Sequence, residues 1–301
     1  MPRFPHAFLV AGALALFGGR VPALSAQDAK PARTPHQRLP LSAHGLVKIF
    51  NLAGAVRVTG WDRDTVAVDG TVASTHRFFM GGSANGIKLG LEGDAATAGA
   101  GADLVVFVPA GARLWVRTSG ADIEVQGVTG SVDIGSVEGR IRVQGSPAEL
   151  TVESMGGVIE IESSPTYFRA KSASGRITWS GSSEDAALST VGGAITVKAG
   201  VVTRARLESV TGDIRYAGGL VRGGALILDS HAGDVSAVLS KYATAELEVD
   251  APTSDVLGVR ATQGDALARR SPVLRTIGKE GFPSARIVLR SFKGRATVTQ
   301  P

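Results

Sequence analysis

The sequence predicts an all-β fold: a β-solenoid (β-helix-like) of stacked two-strand units with a period of about 18 residues. Three features of the chain point to it. A turn residue returns at Ala121, Gly139, Gly157, Gly175, Gly193, Gly212 and Gly233, at intervals of 18, 18, 18, 18, 19 and 21 residues. Apolar pairs with one residue between them flank these turns: Leu114 and Val116, Val132 and Ile134 before, Ile123 and Val125, Ile141 and Val143, Ile159 and Ile161 after. That spacing is the period of a strand with one buried face, whereas a helix needs apolar residues three and four apart. The third observation is the constancy of phase, since a fixed interval over many units points to stacked, interdependent coils. Antiparallel hairpins in a sandwich or barrel are the competing arrangement. Glycine recurs at the turn because the chain there needs positive φ or a close backbone approach; Gly120 takes that role beside Ala121.

Composition agrees. The chain has 301 residues, enough for a substantial core in one domain or two. It has 39 glycines, 5% aromatic residues and no cysteine, which excludes disulfides, a thiol nucleophile and cysteine-ligated metal. The formal charge of +5 is modest, so its distribution matters more than its size.

In chain order, residues 1–26 read as a signal peptide, with Arg3, an apolar segment from Ala7 to Phe17, and Leu24-Ser25-Ala26 as a cleavage site. The apolar run is shorter than the roughly 20 residues that span a bilayer. No cysteine follows it, so lipoprotein anchoring is excluded and the mature protein is expected in the periplasm, at the outer surface or outside the cell. Residues 27–45, with Pro31, Pro35 and Pro40, read as a flexible leader. Residues 46–301 form the solenoid domain. Its first unit carries Val47, Ile49, Leu52, Gly54, Val56 and Val58; Val66 and Val68 suggest another strand. The register is then lost in an insertion loop near 73–101. There Phe78-Phe79-Met80 either caps an open end of the core or belongs to a binding loop on a rigid scaffold. Beyond Ala237, Leu247, Val249 and Val256 fit a unit with Ser254 at its turn. A second insertion loop follows near 260–285, and the last unit returns as Ile287, Leu289, Phe292, Gly294 and Val298. Atypical terminal units are expected as caps over exposed strand edges.

The turns Glu138-Gly139-Arg140-Ile141, Ser174-Gly175-Arg176-Ile177, Thr211-Gly212-Asp213-Ile214 and Lys293-Gly294-Arg295-Ala296 share a polar residue before the glycine. With a leading signal peptide they make most of the mature chain resemble the bacterial exported putative-adhesin (toast-rack-like) domain-of-unknown-function family. The resemblance implies a β-solenoid-like fold and a cell-envelope location, and carries over no catalytic motif.

The outward positions hold Asp122 and Glu124, Arg140 and Arg142, Glu160, then Arg176. Their alternating sign supports register by a few tenths to about 1 kcal/mol per pair, by analogy with antiparallel pairs. Asp213 and Asp234 occupy equivalent positions in consecutive units. Glycoside hydrolysis needs two carboxylates about 5 to 9.5 Å apart, so this pair is the basis of an enzyme alternative, although Arg215 shares the face. His6, His36, His44, His76 and His231 have no metal-ligand spacing. His231 shares the phase of Val137, Met155, Val191 and Val210, which assigns it a partly buried structural place. There is no G-x-S-x-G elbow, phosphate-binding loop or calcium-binding nonapeptide. No catalytic, cofactor-binding or metal residue is assigned.

The basic surplus lies at the C-terminal end, with Arg269, Arg270, Arg275, Arg286, Arg290 and Lys293. In an exported protein nucleic acid is not the expected partner. The expected ones are an envelope polysaccharide, an anionic membrane surface or another envelope protein. Phe78, Phe79, Arg269, Arg270 and Arg275 are the candidate binding residues. The functional expectation is a non-enzymatic envelope or secreted repeat protein whose long surface serves adhesion or scaffolding, engaging a repetitive partner multivalently. The alternatives are a polysaccharide-active enzyme and an envelope stress or signalling accessory domain.

Overall fold

The computed structural model describes residues 35–92, 101–262, 272–278 and 285–301. The signal-peptide reading falls outside them, as does the leader up to residue 34. Among the described residues every regular element is a strand, and the strands form two ladders with the core between them. In the first ladder Arg113–Thr118, Ser131–Ser136, Glu149–Ser154 and Tyr167–Ser172 lie parallel in succession. In the second, Asp122–Gln126, Ile141–Gly145 and Ile159–Ser163 do the same. Ile177–Thr190, Ile195–Ser209 and Ile214–Ser230 then run through both ladders, starting in the second and ending in the first. Register shifts such as the one between Gly181 and Ser183 let these long strands bend from one ladder to the other. The parallel pairing, with Ile134 beside Val152 and Ile141 beside Ile159, identifies a solenoid and excludes the hairpin meander for the main run.

The predicted apolar pairs form continuous internal stacks. Leu114, Val132, Leu150 and Phe168 are buried on one side, and Ile123, Ile141, Ile159, Ile177, Ile195 and Ile214 on the other. Burying a side chain of this size is worth about 1.5–3 kcal/mol. The larger residues find polar partners: the Trp179 indole donates to the Ser163 carbonyl (2.9 Å) and the Tyr216 hydroxyl to the Gly219 carbonyl (2.9 Å). Burial pushes the Tyr216 phenol well above its ordinary pKa.

Close approach, more than φ, explains the turn glycines. A Cβ on Gly157, Gly175, Gly193 or Gly212 would stand 1.9 to 2.1 Å from the carbonyl oxygen of the glycine one coil earlier, while Gly139 is the one among the turn residues from 121 to 233 that has positive φ. Three residues before these glycines runs a second stack, of buried hydroxyls. Ser154, Ser172, Ser209, Ser230 and Ser291 each accept the N–H of the turn glycine three residues on, at 2.8 to 3.0 Å.

Coil order departs from chain order at both ends. The strand Leu46–Asn51 lies between Arg113–Thr118 and Gly86–Glu92, and Gly54–Trp61 between Asp122–Gln126 and Ala102–Pro109. At the other end Ala285–Ser291 lies between Ile214–Ser230 and Ala245–Asp250, and Arg295–Thr299 between Val235–Leu239 and Thr253–Val256. Antiparallel strands finish every edge: Arg77–Ser83 on Gly86–Glu92, Thr65–Val72 on Ala102–Pro109, Val273–Ile277 on Ala245–Asp250 and Val259–Thr262 on Thr253–Val256. Both stretches expected as insertion loops therefore contain paired strands. The leader expectation is also revised, since Gln37–Pro40 pairs with Thr65–Val72 and Leu41 is buried. Pro40 suits this place because an edge strand needs no donor on its outer side.

Ser254 is not at a turn. It lies in register with Ala296, on the inward face. Asp250 pairs with Arg290 and Thr253 with Arg295, so Ala251 and Pro252 span what Ser291, Phe292, Lys293 and Gly294 span in the next coil.

Candidate functional site

The outward face of the first ladder carries aromatic rings and cations together on four neighbouring strands. Alternation along each strand puts Ile87 and Leu89, Val47 and Ile49, and Leu114 and Val116 inward. It therefore sends Lys88, Lys48, Phe50, Trp115 and Arg117 outward. Register brings them side by side: Lys48 stands between Lys88 and Trp115, and Phe50 between Gly90 and Arg117. Phe79 reaches the same face from Arg77–Ser83, opposite Gly90. Gly90 is required between the two phenyl-bearing strands, because a Cβ there would meet the Phe50 carbonyl oxygen at 2.2 Å.

The geometry is that of cations seated on rings. The Lys88 ammonium lies 4.9 Å from the Phe50 centroid and 5.3 Å from that of Phe79. Lys48 lies 5.6 Å from Trp115, and the Arg117 guanidinium 4.1 Å from the same indole. Phe50 and Trp115 meet edge to face, with centroids 5.2 Å apart. Arg117 also bonds Asp133 at 2.9 Å. Its in-register neighbour is Gly135, where a Cβ would stand 2.9 Å from Arg117 Cδ. The lysines are exposed, and the rings and Arg117 half-buried.

A depression of about 250 Å³ adjoins this platform, lined by Phe50, Leu52, Leu91, Arg117, Thr118 and Ser119. Arg117 and Thr118 also open a longer groove of about 600 Å³ that reaches Val191. Glu153 and Lys171, paired at 3.8 Å, lie along it. From the coil of Phe50 to that of Val191 the two hollows cover six rungs, five strand separations or about 24 Å. One wall is an apolar ridge two residues before the turns, with Val137 48%, Met155 59% and Val191 56% exposed. Val210 and Phe292 extend the ridge beyond the groove. His231, expected to be partly buried at this phase, is exposed and stacked on Phe292, with centroids 5.0 Å apart.

The predicted binding residues are not brought together. Phe79 belongs to the platform, whereas Phe78 faces inward opposite Leu91 and packs against the core. Arg275 is exposed on Val273–Ile277, at the opposite edge of the first ladder. Arg269 and Arg270 lie outside the described residues. Sequence reasoning missed Phe50, Trp115, Lys48, Lys88 and Arg117, although Lys48 and Trp115 both stand six residues before a turn residue and Phe50 and Arg117 four.

The carboxylates of the enzyme alternative are engaged in stapling turns. Asp213 accepts the Asp234 N–H at 3.0 Å and bonds Arg215 at 2.8 Å. Asp234 accepts the Arg295 N–H and Asp122 that of Arg140, both at 2.8 Å. The alternating charges stand in register but do not pair as expected: Arg142 lies beside Glu124 and Glu160 and bonds Glu162 instead, at 2.8 Å. Among the described residues no group of three or more histidine, aspartate and glutamate side chains is placed to hold a metal ion.

Fold and site together define a two-ladder β-solenoid with a cation–aromatic platform that continues into a groove. No protein-family model matches the chain, and no curated protein matches it. Among solved structures, a putative cell adhesion protein from Clostridium sporogenes is similar over 89% of this chain and 100% of its own, at 8% identity and a TM-score of 0.21. That likeness is too slight to carry any property over to this chain.

Proposed function

We propose that the protein is a non-enzymatic binding protein of the cell envelope or its surroundings, presenting one face of its solenoid to an extended partner for adhesion or scaffolding. The observation that carries this reading is the continuity of the platform with the groove. Ring, cation and apolar ridge succeed one another across neighbouring rungs, so a polymer lying along the coil axis meets a series of contacts, which is how multivalent binding gains strength without any single tight site. Exposed aliphatic side chains in a row are unusual on a surface that has no partner. The engagement of Asp213 by Arg215 and by a backbone amide supports a structural role for that carboxylate. Export, expected from residues 1–26, places the same surface where envelope polymers are available.

The test is to incubate the mature chain, from Gln27 onward, with a panel of bacterial and host glycans, recording both retention and released products. Retention with no product is the expected result. Released products would overturn the reading and make Asp213 and Asp234 the first residues to change.

A further inference from the structure

We infer that the platform takes an acidic polysaccharide, its carboxylates met by Lys88, Lys48 and Arg117 and its sugar rings lying against Phe79, Phe50 and Trp115. This deepens the binding reading above and rests on it.

The platform holds a like-charged pair. Lys48 and Lys88 are register partners on adjacent strands, an arrangement that destabilises a sheet. Most other in-register charges on the outer faces are of opposite sign, as with Arg57 and Glu124, Glu153 and Lys171, or Glu246 and Arg286. The acidic register pair Glu208 and Asp229 has its counter-ions at hand, since Arg206 bonds Glu208 and Arg290 stands in register with Asp229. Among the described residues Lys48 and Lys88 form no ion pair with a carboxylate; their ammonium groups rest on the aromatic rings instead. The pair is therefore a cost to the fold that an anionic ligand would relieve.

The spacing fixes the kind of anion. Lys88, Lys48 and Arg117 come from three consecutive strands, so their backbone origins step along the coil axis by about 4.8 Å. A single small anion meets one or two of them; a chain with an acid group on its repeating unit meets all three. Half-buried rings on an outer sheet face present apolar surface of the kind that the apolar faces of sugars pack against. The hollows are concave and run on to Val191, which fits a strand of polymer and does not fit the surface of a bilayer, which needs a protruding apolar element to enter it.

The test uses polygalacturonate as probe, dextran as its uncharged counterpart and phosphatidylglycerol vesicles as the membrane control. The mature chain is expected to bind polygalacturonate, more weakly as salt is added, and dextran poorly. Lys48→Gln with Lys88→Gln should lower the affinity about tenfold or more, since removing even one charge-assisted hydrogen bond to the ligand has an effect of that order. Trp115→Leu should weaken it with the net charge unchanged, and Lys198→Gln, on the outer face of the second ladder, should leave it as it was. Melting temperatures near the unaltered value show that the variants are folded. No uptake of polygalacturonate, or equal loss in the Lys198 variant, overturns the inference. So does binding to the vesicles alone, lost with the same lysine pair, which would make the ligand a membrane. If the glycan panel retains a neutral polymer while polygalacturonate is ignored, only the acidic ligand is wrong and the binding reading stands.

Discussion

Ser172 shows how much a single side chain does in this fold. Its hydroxyl, buried between coils, accepts the Gly175 N–H at 2.9 Å. Ser172→Ala leaves that amide unsatisfied, at a cost of about 1–3 kcal/mol, whereas Ser174→Ala, at an exposed position, should cost little. Chemical denaturation of the two variants measures the difference, and equal midpoints would deny the hydroxyl stack a stabilising role. The spacing of serine or threonine three residues before glycine is plain in the sequence. Its meaning is not, because only the folded coil shows that the inward hydroxyl accepts the N–H of the turn glycine. Glu248 makes a second prediction. A hydrogen bond from Arg290 (2.9 Å) holds its carboxyl below the ordinary glutamate value, with Arg286 (3.0 Å) acting the same way against the opposing effect of burial. Between the lowered folded pKa and the unfolded one, the unfolded chain holds more protons, so stability rises with pH there and is lost as pH falls through the folded value. Glu248→Gln should flatten that part of the acid limb in a plot of melting temperature against pH. An unchanged slope would mean that the two arginines do not couple to folding.

At the scale of one coil, phase decides everything. Ile159 is fully buried between Ile141 and Ile177. Ile159→Asp puts an unpaired charge into the apolar stack and should abolish the cooperative melt, while Glu160→Gln, on the outer face, should change little. Retention of a melt at the original temperature by the aspartate variant would contradict the inward assignment. Ser254 predicts the opposite sign. It occupies an inward position held by Ala296 in the next coil, and its hydroxyl is buried with no hydrogen-bond partner. Ser254→Ala should raise stability by about 1 kcal/mol, and a lowered denaturation midpoint would show that the hydroxyl has a use there. The sequence pattern puts Ser254 at the turn because it assumes turns of equal length. The two-residue link at Ala251 and Pro252 shifts the phase without disturbing the alternation on either side.

For the molecule as a whole, the notable feature is that the strands first and last in the parallel run are not at its ends. Ala285–Ser291 and Arg295–Thr299 each lie between an earlier coil and the outermost one. In a simple solenoid the loss of the last coil exposes its neighbour and little else. Here a chain ending at residue 284 should lose hydrogen-exchange protection in Ala245–Asp250 and Thr253–Val256 as well, since the coil that joins them to the stack is gone. Protection retained in those strands would show that they dock without it. The strand period, the inward face of each strand and the regular interval from Leu114 onward are legible in the amino-acid sequence, because burial imposes the same alternation on every rung whatever its neighbours are. Long-range pairing sets the parallel direction of the coils and their order at the two ends, and with that order the platform. Lys88 and Phe79 meet Lys48, Phe50 and Trp115 because Gly86–Glu92 returns beside Leu46–Asn51. Alternation says which face a side chain takes; which strand lies next to it depends on pairing across long stretches of chain, and a local pattern carries no record of that.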